Sequence, residues 1–272
     1  MEGQIVKIIS NDYFVKTNNN EYICKARGKF RQENITPKVG DFCLFDEKEK
    51  VIKEIKPRIN TLSRPLVSNI NQAFIVTSLK NPDFSSNLLD KLICICILNN
   101  IEPIICLTKK DLLTKSEYKD LKKIINYYKK LDIKVVYNNN INKIKKLLKH
   151  KTTVFTGQTG AGKSSLMNKL DKSLNFETNE ISKALGRGKH TTRTVSLVEI
   201  NNGKVLDTPG FSDIDLSVYK KEDIRDSFKE FKNKCKYTNC MHINEKECVV
   251  KELVNKNIIL KSRYENYIKF IK

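Results

Sequence analysis

No stretch of this 272-residue chain approaches the ~18 consecutive apolar residues of a membrane span. The opening residues, MEGQIVKIISND, carry no basic segment followed by a small-residue cleavage site, so no secretory leader is expected there. Glycine and proline number only 10 and 6, too few for a collagen-like chain. No internal repeat with a period of roughly 20–50 residues is visible. Arginine is scarce too, supplying 8 of the 51 positive charges while lysine supplies 43. These absences exclude membrane, collagen-like and secreted disulfide-scaffold classes and predict a cytoplasmic protein. In that compartment cysteines stay reduced. Cys24, Cys43, Cys94, Cys96 and Cys106 sit in apolar surroundings and read as core thiols, whereas the other three of the eight crowd into 235–248.

What the chain does have is positive charge. The net charge is +20, distributed as +4 over residues 1–66, +12 over 67–211 and +4 over 212–272. Residues 115–151 alone hold twelve lysines against three acids. Part of this is compositional, since Lys, Asn and Ile are abundant together, as an AT-rich coding sequence would make them. The remainder points to a polyanionic partner, with 115–151 as the place to look.

Hydrophobic patterning divides the chain into three domains, expected at 1–62, 63–215 and 216–272. The first contains five short strand-like runs, QIVKIIS, DYFVKT, EYICKA, DFCLF and VIKEI, separated by Asn, Asp, Pro and Gly turns. Five strands without a long helix predict a small OB-type β-barrel. A linker, PRINTLSRP at 57–65, follows. Strand and helix patterns then alternate from QAFIVTSL to TTVFTG, which predicts a mostly parallel sheet covered on both faces. In SEYKDLKKIINYYKKL the spacing of Leu121, Ile124, Ile125 and Tyr128 predicts one buried helical face. VSLVEI and KVL add two strands, expected as a hairpin closed at Asn202-Gly203, and the remainder reads as helical. The expected fold is thus multi-domain α/β, with a barrel, a nucleotide-binding domain and a helical C-terminal domain.

The sharpest motif is GQTGAGKSS at 157–165, between an apolar strand and a helix. Gly157, Gly160 and Gly162 let the amides of Gln158, Thr159 and Ala161 turn into one concavity around a β-phosphate. The helix N-terminus adds its positive dipole end, and Ser165 lies in that first turn. Lys163 is expected on the β- and γ-phosphates and Ser164 on Mg²⁺. Downstream, Asp207-Thr208-Pro209-Gly210 ends a second strand, where a carboxylate can hold Mg²⁺ and the Gly210 amide can approach a γ-phosphate. Between them lies GRGKHTTRT at 186–194, with Thr191 or Thr192 as a metal or γ-phosphate ligand. Thr108-Lys109-Lys110-Asp111 matches the [NT]-K-x-D guanine reader, in which a carboxylate accepts from N1–H and the 2-amino group. It follows a strand, where ligands of such sheets bind. Cys235, Cys240, His242 and Cys248 place three thiols and an imidazole within fourteen residues, a donor set for a closed, structural Zn²⁺ site.

The reader precedes the phosphate loop, the reverse of the usual GTPase order. With RPLVSNINQAFIV, NPDFSSNLLDKL, LTKKDLL, GQTGAGKSSLMN, GRGKHTTR, DTPGF and the cysteine cluster all in sequence, the chain resembles the circularly permuted GTPases of the RsgA (YjeQ/YloQ) family over nearly its whole length. That resemblance implies a GTPase with Mg²⁺ at the nucleotide and one structural Zn²⁺. It also implies an assembly factor acting in late maturation of the small (30S) ribosomal subunit, which binds 16S rRNA and couples GTP state to subunit release. No membrane partner is expected, and the chain is read as a monomer. Two departures stand out: Thr108 where the family commonly has Asn, and Phe211 where many GTPases carry a water-orienting Gln. A phenyl ring cannot position water, and the resemblance points to His190 as the group that does, alongside Lys163. Because 207–211 runs directly into the C-terminal domain, nucleotide state is expected to shift that domain's orientation. Two other readings remain open from residues alone: an RNA-binding switch with negligible turnover, and an ATP-using enzyme should Thr108 and Asp111 not read guanine.

Overall fold

The computed structural model describes residues 1–28, 30, 35–62, 66–172, 195–206, 215–232 and 235–272. Five strands form the N-terminal unit: β1 (Glu2–Ile9), β2 (Asp12–Lys16), β3 (Glu21–Ala26), β4 (Phe42–Asp46) and β5 (Val51–Ile55). They close into a barrel in the order β1-β2-β3-β5-β4, with β3 and β5 parallel and the other pairs antiparallel. Period-two patterning turns Ile5, Val15, Cys24, Cys43, Phe45 and Ile52 inward, where they form a core of their own. The expected barrel is present.

The described part of the linker, residues 57–62, is more structured than its sequence predicts. β6 (Thr61–Leu62) pairs antiparallel with β7 (Val67–Ser68), and Arg58 reaches back into the barrel. Two-residue strands carry no measurable period, so pattern reading has nothing to detect there.

The central sheet has six strands: β8 (Gln72–Ser78), β9 (Glu102–Thr108), β10 (Lys134–Tyr137), β11 (Thr152–Gly157), β12 (Leu197–Ile200) and β13 (Gly203–Leu206). Their order is β10-β9-β8-β11-β13-β12, all parallel except the edge strand β12. Every residue of β8 and β11 is buried, as continuous apolar runs in a doubly covered parallel sheet require. Helices α1 (Ser86–Leu98), α2 (Lys115–Lys130), α3 (Ile141–Leu148) and α4 (Lys163–Leu170) connect the strands. α2 starts at a capping box between Thr114 and Glu117 and buries Ile125 and Tyr128, with Leu121 and Ile124 partly covered. The β12–β13 hairpin corrects the sequence reading. Ile200 pairs with Gly203, so the turn is Asn201-Asn202, both with positive φ. Asparagine tolerates that conformation in a two-residue hairpin. Gly203 instead begins the strand, where a Cβ would stand 2.0 Å from the Leu148 carbonyl oxygen.

The C-terminal part contains α5 (Lys221–Ser227), α6 (Val249–Asn255) and α7 (Lys261–Phe270), with the cysteine cluster between α5 and α6. α5 and α7 pack on α1. Phe228, Phe231, Cys240, Cys248 and Tyr267 join Leu89 and Leu92 of α1 in the main apolar core. The five scattered cysteines are buried and free, as expected. Among the described residues, no helix is long and apolar enough to cross a membrane.

Candidate functional site

The sheet delivers the two nucleotide motifs to one edge. β9 and β11 flank β8, and all three run parallel. β9 ends at Thr108, paired with Ser78, and β11 ends at Gly157, paired with Val76. Both loops therefore leave the carboxyl edge of neighbouring strands, where ligands of open parallel sheets bind. One contact joins them. The Thr108 hydroxyl, 1% exposed, donates to the Ala161 carbonyl oxygen at 2.7 Å. The hydroxyl thus ties the reader motif to the phosphate loop despite their reversed order in the chain.

The phosphate loop turns at three glycines with φ of 130°, 76° and 94° at Gly157, Gly160 and Gly162. Gly157 is required on space as well as angle, since a Cβ would lie 2.1 Å from the Val76 carbonyl oxygen. Gly162 caps α4, so Lys163, Ser164 and Ser165 occupy its first turn. Ala161 is buried, Gln158 and Ser164 are half-buried, and Thr159 and Ser165 are exposed. The Lys163 ammonium donates to the carbonyls of Gly157 at 2.7 Å and Gln158 at 2.8 Å. Burial pushes its pKa below the ordinary lysine value, which favours an anionic partner. Ser164, in the first turn of α4, carries a hydroxyl of the kind Mg²⁺ accepts as a ligand. β13 lies parallel to β11 and ends at Leu206. Asp207, Gly210 and Phe211 follow in the sequence; they and His190, Thr191 and Thr192 lie outside the described residues.

At the reader, Lys109 adopts a left-handed backbone, and Lys110 to Leu112 form a short 3-10 turn that exposes Asp111. The Lys109 ammonium donates to the Asn81 carbonyl. Pro82 lies 3.7 Å from the position of a Cβ on Gly160. The β8–α1 loop thus bonds the reader and stands beside the phosphate loop, a role sequence reading missed although NPDF carries obvious loop chemistry. Also missed were Asn138 to Asn140, which leave β10 at the same edge, the Asn138 amide donating to the Leu107 carbonyl at 2.9 Å. A polar run after the third strand of a parallel series was the available signal.

The cysteine cluster is assembled in three dimensions. The four donor atoms all lie within 4.8 Å of one another. His242 Nδ1 stands 3.6 Å from Cys235 Sγ and 3.3 Å from both Cys240 Sγ and Cys248 Sγ. Cys248 Sγ is 4.0 Å from Cys235 Sγ and 3.8 Å from Cys240 Sγ. Donors of a tetrahedral zinc site with Zn–S bonds near 2.3 Å stand about 3.8 Å apart, so the cluster could hold such an ion. Its support comes from α7 and from its own loop. Tyr264 and Tyr267 donate to the carbonyls of His242 and Met241, each at 2.6 Å. The Glu245 carboxylate accepts from the Met241 and Ile243 amides at 2.6 and 2.8 Å.

The family model for the RsgA N-terminal domain matches residues 2–51, and that for the RsgA GTPase matches residues 55–217. The chain is 46% identical over 277 residues to the small ribosomal subunit biogenesis GTPase RsgA of Clostridium novyi. It is 44% identical over 281 residues to small ribosomal subunit biogenesis GTPase RsgA 2 of Oceanobacillus iheyensis. Each alignment covers 99% of this chain and 96% of the relative. The solved structure of YloQ, a circularly permuted GTPase, superposes with a TM-score of 0.84 at 32% identity, covering 99% of this chain and 93% of that one. YjeQ from Thermotoga maritima gives 0.85 at 32% identity, covering 99% and 96%. This kinship sets aside the readings as a switch without turnover and as an ATP-using enzyme. A permuted nucleotide edge behind an OB-type barrel, in a chain alike from end to end to these proteins, means that it belongs to the RsgA family of circularly permuted GTPases and is a GTP hydrolase.

Proposed function

We propose that this chain is a cytoplasmic, monomeric assembly factor that acts late in maturation of the small ribosomal subunit, binds its 16S rRNA and couples GTP state to release from the subunit. Its domains are taken as 1–62, 63–215 and 216–272. The names of the two relatives, both small ribosomal subunit biogenesis GTPases, support the assignment, as does the net charge of +20. The observation that carries the nucleotide site is the Thr108 to Ala161 hydrogen bond, which brings reader and phosphate loop to one edge.

In this reading Asp111 accepts from the guanine N1–H and 2-amino groups, Thr108 and Lys109 hold the reader turn, and the loop amides of 157–162 cradle the phosphates. Lys163 moves from its own loop carbonyls to the β- and γ-phosphates. Ser164 and Asp207 would hold Mg²⁺, which would supply positive charge against the charge developing on the phosphates, and Thr191, Thr192 and Gly210 border the γ-phosphate. His190 orients the attacking water in place of the Gln that Phe211 replaces. Hydrolysis is in-line attack on the γ-phosphate, driven by positioning and charge stabilisation. Cys235, Cys240, His242 and Cys248 hold Zn²⁺ as a closed structural site. The lysines of 115–151 add an electrostatic contact to rRNA.

Co-sedimentation with small subunits under GDP and under a non-hydrolysable GTP analogue tests this, with turnover measured in parallel. The expected result is nucleotide-dependent association and subunit-stimulated turnover, reduced by His190→Ala. Absence of association in both states, with turnover indifferent to subunits, would overturn the proposal.

A further inference from the structure

The reader motif carries two lysines, and in a chain with 43 of them Lys110 could pass for compositional background. Its surroundings argue against that. The Lys110 ammonium lies 4.3 Å from the ring centroid of Tyr118 and 5.3 Å from that of Tyr137. The two phenols face each other with their oxygens 2.9 Å apart. Tyr137 is the last residue of β10, paired in the sheet with Leu107 of β9. Tyr118 lies in the first turn of α2, one residue past the capping Glu117. Lys110 therefore stands between the end of a strand and the start of a helix, each held by its own framework. The Tyr118 hydroxyl is shifted below the ordinary phenol range, first by its bond to Tyr137 and further by Lys110. The Tyr137 hydroxyl is shifted above that range, first by burial and then by the same bond.

With this clamp, three consecutive residues of the motif are anchored to three different walls. Thr108 is bonded to the phosphate loop, Lys109 to the Asn81 carbonyl and Lys110 to the tyrosine pair. Glu117 binds the Lys80 ammonium at 2.8 and 3.1 Å, which joins the Asn81 wall to the Tyr118 wall. Within the motif, the exposed Asp111 carboxylate has no hydrogen-bond, ion-pair or ring partner among the described residues.

We infer that Lys110, clamped by Tyr118 and Tyr137, is a positioning residue that holds Asp111 oriented toward the base and thereby sets guanine affinity. The inference rests on the reading of Asp111 as the guanine reader. Lys110 touches neither base nor phosphate in this account. It acts by reducing the conformations the 110–112 turn must give up when the base docks.

Binding of GDP and of inorganic tripolyphosphate to the full chain separates positioning from general structure, because tripolyphosphate uses the phosphate loop alone. Lys110→Met keeps the apolar stem and removes the charge, while Tyr118→Leu removes the ring. A cation–π contact at an exposed site is worth about 0.5–1 kcal/mol, which corresponds to an approximately two- to fivefold weaker GDP Kd for each variant. The double variant is expected to be no weaker than the weaker single one, because both remove the same contact. Tripolyphosphate affinity should not change. Unchanged GDP affinity, an equal loss for tripolyphosphate, or additive losses in the double variant would overturn the inference. Asp111→Asn serves as the control for the underlying reading. If Asp111→Asn leaves GDP affinity intact, the reader assignment itself fails. If it abolishes GDP binding while Lys110→Met is silent, only the positioning role fails.

Discussion

The GTPase unit is joined to its two neighbours by opposite kinds of chemistry. The barrel keeps a separate apolar interior and meets the rest through buried polar bonds beside a small apolar contact. Asp41, fully buried and held within the barrel unit by Arg58 in a bidentate pair at 2.7 Å for each bond and by the Lys38 amide at 2.7 Å, takes the Ser68 hydroxyl across the junction at 2.5 Å. Asn69 donates to the Gly40 carbonyl at 2.9 Å, and Gln4 meets Lys204. Among the barrel's buried residues, Val6 and Val39 reach the main apolar cluster. The C-terminal module, by contrast, has no apolar cluster separate from that main one among the described residues. Inside this shared core sits a charged triad. Arg263, 2% exposed, bonds Asp90 of α1 at 2.7 Å and Glu230 at 2.7 and 3.1 Å. Burial works against its charge, but the two carboxylates outweigh it and raise its pKa above the ordinary arginine value. Tyr128 of α2 and Asn266 of α7 complete the shell around Asp90, each at 2.7 Å. A domain with its own interior can be attached by polar contacts and still fold as a unit. A module whose buried apolar side chains all pack into a shared core depends on that core, and on the metal proposed at its cysteine cluster.

The comparison breaks first at the metal cluster. Structural zinc contributes roughly 10–16 kcal/mol to small modules, so with the proposed Zn²⁺ at the cysteine cluster, Cys248→Ala or chelation should melt the C-terminal module. Because Cys240 and Cys248 belong to the main core, the GTPase unit should lose stability with it while the barrel does not. Hydrogen exchange resolved by domain checks this, and an unaffected GTPase unit would show that the core is not shared energetically.

Next in size is Arg263→Met, which strips two carboxylates of the guanidinium that balances their charge and should cost about 3–5 kcal/mol in urea unfolding. Adding Asp90→Asn and Glu230→Gln should return part of that loss, since the penalty is uncompensated charge. The same change at the barrel junction should matter less. Asp41→Asn weakens charged hydrogen bonds worth about 1.5–3 kcal/mol each, and faster trypsin cleavage between barrel and GTPase unit should report it. GDP affinity should be unchanged, because the nucleotide edge does not include this junction.

The smallest effect concerns acid. Lys53 and the Glu49 amide hold the Asp46 carboxyl down to about 2 in the folded barrel. A folded pKa below the unfolded value means that the contribution is complete above the ordinary carboxylate range and is lost as pH falls towards 2. The β4–β5 turn should therefore loosen over that interval, and Asp46→Asn should remove the step. Backbone amide shifts of Lys48 and Glu49 through an acid titration test it.

Much of the fold was legible because its signals are local. The barrel runs alternate with period two, Leu121, Ile124, Ile125 and Tyr128 mark one helical face, and the phosphate loop carries its glycines at fixed offsets. The hairpin at Asn201-Asn202 was misplaced by one residue because Asn-Gly is also a strong turn signal. β6 and β7 were too short to show a period. The triad of Asp90, Glu230 and Arg263 is drawn from three distant segments, and no spacing rule connects residues 140 and 33 positions apart.

By itself the sequence determined the barrel strands, the parallel series, the phosphate loop and the metal donors. In each of these the interacting groups lie within one or two elements of chain, so spacing reports geometry. Only the tertiary structure decided that reader and phosphate loop share an edge, that Lys110 is clamped by two tyrosines, and that the C-terminal module has no core apart from α1. Those outcomes depend on strand order and on which helix face meets which. Both are set by the global minimum of apolar exposure and buried charge, a property of the whole chain that no short stretch of it encodes.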